Sequence, residues 1–149
     1  MDTLILDATT KSLTIELAAT ATSNTVTWVS AYADNTGSAF TEGASNGVIN
    51  NTTPVTIVSA PASSTRRVVK SISVQNTDST SHTITVKYVT SGGSTSIIGK
   101  ATLAAGDRWT LDGTYNSAGE LKSSGSTGGG GGSVVADDDQ VILATRIFT

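Results

Sequence analysis

The chain has 149 residues and a net charge of −3, with only 14% charged residues and 37% hydrophobic ones. Thr and Ser together supply 46 of the 149 positions, and there is no cysteine. These figures allow one domain with a modest core and exclude disulfides, thiolate metal sites and thiol nucleophiles.

No apolar run is long enough to span a bilayer as a helix. No basic segment precedes an apolar run at the N-terminus, so no signal peptide is expected. Thr suits a pleated, half-exposed strand, whereas Glu and Lys are depleted there. The composition therefore predicts an all-β domain with a hydroxyl-rich surface.

In chain order, Leu13, Ile15 and Leu17 alternate with Thr14 and Glu16, the period of a half-buried strand. Val26, Trp28 and Ser30 share one face, opposite Thr25, Thr27 and Val29. The mixture of Asn, Gly, Ser and Thr from 34 to 51 reads as linker. Val55 and Ile57 then oppose Thr56 and Val58. Two longer strands follow, Arg66–Asn76 and His82–Thr90. Alternation puts Val68, Lys70, Ile72 and Val74 on one face of the first, and Ile84, Val86 and Tyr88 on one face of the second. The Asn-Thr-Asp-Ser-Thr-Ser segment between them is rich in turn formers and predicts a hairpin. Ser94–Leu103 and Arg108–Leu111 read as the next strand pair, with turn chemistry in Ser91-Gly92-Gly93 and Ala104–Asp107.

The expected fold is all-β: an antiparallel β-sandwich or jelly-roll-like barrel with extended N- and C-terminal segments. Its expected divisions are N-terminal strands or an arm (1–33), a loop-rich segment (34–54), a sandwich core (55–122), a Gly/Ser-rich linker (123–133) and a C-terminal docking strand (134–149). Gly128–Gly132 form an uninterrupted glycine run in that linker. Charge is uneven: net −4 over residues 1–65, +3 over 66–122 and −2 over 123–149.

Candidate chemistry is sparse. His82, the one histidine, reads as a surface residue beside a turn. Asp137-Asp138-Asp139 lie consecutively on an extended segment, where neighbours point to opposite faces, so a solvated acidic turn is expected and no metal site. The glycine run lacks the Lys-Ser/Thr of a phosphate loop. Arg66, Arg67 and Lys70 have no aromatic platform before Tyr88, and the sequence pI is about 4.9, so no nucleic-acid partner is expected. Trp28, Tyr88 and Trp109 read as core aromatics. No cofactor and no membrane association are expected. A strand ending in Arg-Ile-Phe-Thr needs a sheet to join, its own or a neighbour's.

Residues 64–113, "STRRVVKSISVQNTDSTSHTITVKYVTSGGSTSIIGKATLAAGDRWTLDG", and residues 6–34, "LDATTKSLTIELAATATSNTVTWVSAYAD", resemble small virion proteins of tailed bacteriophages. The shared pattern is a V-K-x-I-x-V-x-N-x-D strand entering a hairpin, a Val-rich strand, then L-x-x-G-D/E before an aromatic strand. Members often carry a Gly-Trp pair after that strand, where Trp109-Thr-Leu-Asp-Gly113 stands here. The resemblance covers about half the chain. It implies a non-enzymatic structural protein of capsid decoration, head fibre, neck or tail attachment, made in the bacterial host's cytoplasm and located in the virion. The expected partners are other virion proteins, such as the major capsid or neck and tail proteins, and further copies in a homo-oligomer. Candidate assembly contacts are Arg66, Arg67, Val141, Leu143, Ile147 and Phe148. The alternative is a receptor- or carbohydrate-binding module of a tail fibre, with an exposed Trp or Tyr such as Trp109 as its stacking platform. An enzyme centred on His82 is the third reading.

Overall fold

The computed structural model describes residues 3–22 and 26–122. Among these described residues, ten strands build two antiparallel sheets: β1 (Leu4–Leu6), β2 (Ser12–Leu17), β3 (Val26–Asn35), β4 (Phe40–Ile49), β5 (Val55–Val58), β6 (Arg66–Asn76), β7 (His82–Val89), β8 (Thr95–Leu103), β9 (Arg108–Thr110) and β10 (Gly113–Tyr115). The larger sheet runs β10-β9-β6-β3-β4, with β1 also paired to β6, and the smaller runs β5-β2-β7-β8. Their inner faces close on one core, in which Leu13, Ile15, Ile72, Ile84 and Leu103 are wholly buried. The fold is an all-β sandwich.

β2 and the first half of β3 follow their alternation: Leu13, Ile15, Leu17, Val26, Trp28 and Ser30 are all buried. Ser30 is a hydroxyl inside an apolar layer, satisfied by donating to the Ile57 carbonyl at 2.6 Å. That bond joins the two sheets, as does Tyr88 Oη donating to the Ile5 carbonyl at 2.9 Å.

Three expectations are corrected. First, residues 66–76 and 82–90 do not form a hairpin. β6 pairs with β1, β3 and β9, and β7 pairs with β2 and β8. The segment between them is an arch that carries the chain from one sheet to the other. The same holds for β8 and β9, which lie in opposite sheets. The hairpin in this region joins β7 to β8 through Gly92 and Gly93, both at φ 79°, a conformation glycine adopts without penalty.

Second, β6 does not keep one alternation throughout. Ala31 pairs with Ser71 and Tyr32 with Val69, so Lys70 is an extra residue in a β-bulge. A one-residue insertion exchanges the faces of everything before it. Ile72 and Val74 point inward as expected, but Arg67 and Val69 are buried in place of Val68 and Lys70.

Third, residues 40–49, read as linker, are a ten-residue strand hydrogen-bonded along its whole length to β3. Its inward positions include Gly43 and Gly47, because the rings of Tyr32 and Trp28 lie flat across them. A Cβ at either glycine would stand 2.8 Å from the ring carbons. The neighbouring strand's aromatics supply the apolar cover that β4 lacks in its own side chains, which is why β4 reads as coil.

Of the two expectations for the N-terminus, strands or an arm, it is strands that form there: β1 lies beside β6 and β2 sits between β5 and β7. The sandwich thus draws on residues well before 55. The expected linker (123–133) and docking strand (134–149) lie outside the described residues.

Candidate interaction surface

The polar groups at one end of the sandwich hold its arches in place. Asn76 is wholly buried. Its Nδ2 donates to the Thr80 and Leu103 carbonyls at 2.8 and 2.9 Å, and its Oδ1 accepts from the Asp78 N–H at 2.9 Å. Asp107, also buried, accepts from the Ala104 N–H at 3.0 Å and from Lys122 Nζ at 2.7 Å. His82 is here too. Contrary to the surface reading, it is buried, and its Nε2 lies 2.7 Å from Asp78 Oδ2. Thr80 Oγ1 approaches the same nitrogen at 3.3 Å. A hydroxyl activated by histidine needs the orienting carboxylate on the opposite ring nitrogen. Here carboxylate and hydroxyl share one, an arrangement that braces the arch and does not relay a proton.

At the opposite end, the bulge at Lys70 turns Arg67 inward. Its guanidinium forks onto Asp34, Nε to Oδ1 and Nη2 to Oδ2, both at 2.7 Å. Nη1 donates to Ser59 at the carbonyl and at Oγ, 2.9 and 2.8 Å away. The guanidinium carbon sits 3.9 Å from the centre of the Tyr32 ring. The hydrogen bonds from Arg67 hold the Asp34 carboxyl below the usual carboxylate range. All three guanidinium nitrogens are therefore satisfied within the chain. Its neighbour Arg66 is exposed and lines an open depression of about 720 Å³ with Asp7, Asn35, Gly37 and Ser63–Thr65. Lys11 pairs with Asp7 beside it. Val141, Leu143, Ile147 and Phe148, with Asp137–Asp139, lie outside the described residues.

Trp28 and Trp109 are each 6% exposed. Trp109 reaches from the larger sheet onto Gly99 of the smaller one, where a side chain would collide with its ring. The tryptophan platform expected of a carbohydrate-binding module is therefore occupied by the protein's own backbone. Among the described residues, no group of three His, Asp or Glu side chains could hold a metal ion.

Among the exposed large apolar side chains, Ile97 lies on β8 of the smaller sheet and Ile5 and Leu121 lie on β1 and beyond β10, while Val29, Val48 and Phe40 gather on the outer face of the larger sheet and its β4 edge. Val29 is 52% exposed, Val48 54% and Phe40 62%. Thr27 pairs with Val48 and Val29 with Asn46, so the two valines are diagonal neighbours. Small outward residues, Ala31, Ala44, Ser71 and Ser73, keep this face low. The Glu42–Lys70 pair crosses it, and the Phe40 ring lies 5.7 Å from Lys70 Nζ. Sequence reasoning missed β4 as a structural element; the alternation of its glycines with larger residues was the available signal.

No family model, curated protein or solved structure matches the chain.

Proposed function

We propose that this chain is a structural protein of a tailed-bacteriophage particle, which oligomerises and docks on the capsid or neck through its surfaces and not through catalysis. The observation that carries the reading is the resemblance of residues 64–113 and 6–34 to small virion proteins. The disposition of polar groups supports it. Arg67, Asp34, His82, Asp78 and Asp107 are engaged in holding the sandwich together. The exterior offers hydroxyls, small side chains and strand edges. Such a surface works by shape and by repeated contact, and many copies on one particle raise effective concentration enough to make weak contacts persist.

The tail-fibre binding module is the weaker reading, since Trp109 is unavailable as a platform. The test is fractionation of particles from the protein's own source on a density gradient, with an antibody to the chain. Co-sedimentation with intact particles that resists a salt wash is expected. Recovery solely in the particle-free fraction would overturn the proposal. Deleting residues 134–149 is expected to weaken both assembly and particle binding.

A further inference from the structure

The ends of the two sheets are not alike. β5 has four residues and meets β2 through a register shift, β10 has three, and β8 is interrupted by a bulge at Ile98. Short and bulged edges resist pairing with another chain. β4 has neither protection. It is ten residues long, pairs with β3 in one unbroken register, contains no proline and carries a single charge, Glu42. Its far edge has no strand beside it among the described residues.

We infer that the β4 edge pairs with β4 of a second copy of this chain, antiparallel about a two-fold axis, joining the two larger sheets into one continuous sheet. The argument is one of register and charge. Opposite residues of an antiparallel pair share a face, so outward residues must meet outward residues, and the axis passes through a residue. Centred on Ala44, Phe40 faces the partner's Val48, Glu42 faces the partner's Asn46, and Ala44 faces the partner's Ala44. On the inner face, Gly43 meets the partner's Ser45 and Thr41 the partner's Gly47. The two most exposed apolar side chains of β4 thus cover each other at both ends, and no like charges face each other. Centring on Glu42 would oppose two carboxylates, and centring on Ser45 would set Glu42 against the partner's Val48. Centring on Gly43 or Asn46 leaves Phe40 without an apolar partner. The Ala44 register is the self-complementary one. The inference stands on β4 and not on the virion assignment.

The test uses full-length protein, which has no native cysteine. Ala44→Cys should cross-link to a covalent dimer on mild oxidation, since directly opposed Cα atoms lie about 4.5–5.5 Å apart, within disulfide reach. Val48→Cys should not, because its two copies stand eight residues apart along the edge, about 26 Å. A mixture of Phe40→Cys and Val48→Cys chains should give the heterodimer. In light scattering, wild type should be a concentration-dependent dimer, and Ala44→Lys should weaken it at least about tenfold by opposing two ammonium groups. Ala44→Ser should leave it unchanged, and circular dichroism should show all variants folded. A wild-type monomer at its highest soluble concentration would overturn the inference. So would equal cross-linking of Ala44→Cys and Val48→Cys, or a dimer that survives Ala44→Lys and is lost on removing residues 123–149. Particle binding is scored separately, so failure here leaves the function proposal standing or falling on its own experiment.

Discussion

Replacing Asp34 with alanine leaves the Arg67 guanidinium charged and enclosed. Breaking a buried ion pair from one side costs about 3–5 kcal/mol. The Asp34 side chain keeps 25% exposure, while that of Arg67 keeps 9%. Arg67 also retains Ser59 and the Tyr32 ring. Both facts place the loss at or just below the bottom of that range, about 2–3 kcal/mol. For a domain of this size, that is roughly 5–10 °C in melting temperature. The double variant Asp34→Ala with Arg67→Met removes the stranded charge and should recover much of the loss. The pair is also a pH signature. Asp34 has its carboxyl pKa lowered in the folded state, so its contribution is complete above the unfolded value of about 4 and is lost as pH falls through the folded one. The gap between wild type and Asp34→Ala should therefore be full at neutral pH and close in acid below that value. Urea denaturation of the four proteins of the cycle measures all of this. A single variant within about 0.5 kcal/mol of wild type, or strictly additive effects in the cycle, would refute a structural role for the pair.

Asn76→Ala should destabilise by about 2–4 kcal/mol, because it strands two carbonyls and an N–H that the buried amide serves; denaturant titration measures it. Gly99→Ala should cost about 1–3 kcal/mol by displacing the Trp109 ring, with a shift in tryptophan emission as the second readout. Lys70→Ala, an exposed change, should stay within about 0.5 kcal/mol. Deleting Lys70 removes the bulge residue and leaves a regular ladder in which Val69 still meets Tyr32 and Arg67 still meets Asp34, so the cooperative melting transition should survive; inserting a residue next to Lys70 instead should turn Arg67 and Val69 outward and abolish it.

The sequence was most informative where strand period and burial coincide without interruption. Leu13, Ile15 and Leu17 announce β2, and Val26, Trp28 and Ser30 announce the first half of β3, because each second residue enters the core. Period alone could not reveal the insertion at Lys70, since an unbroken alternation from Val68 to Val74 reads equally well with or without it. Nor does turn chemistry say which sheet a turn leads to. Asn76–Ser81 bends the chain as expected, yet the partner of β6 is β3, chosen by packing far from the turn. β4 escaped notice because its apolar cover belongs to Tyr32 and Trp28. Of the candidate contacts, Arg66 is exposed and Arg67 is enclosed; adjacent arginines on a strand must part company, and only the bulge decides which goes inside. His82 was misread because its partner, Asp78, looked like a turn former and is also the buried acceptor of its ring.

The arches set an order in time. Six of the nine connections between consecutive strands pass from one sheet to the other. Neither sheet can therefore be completed as a unit while the chain is being made. The β3–β4 hairpin can form early, but β2 waits for β7, and Tyr88 reaches back 83 residues to Ile5. Trp109, which closes the core over Gly99, comes later still. A growing chain cut short before that point carries an unfinished apolar interior and an open β4 edge. Such partners, distant along the chain, fold slowly and expose sticky surface until the last strands arrive. Chains truncated before residue 109 should accumulate as aggregate and not as a smaller stable domain.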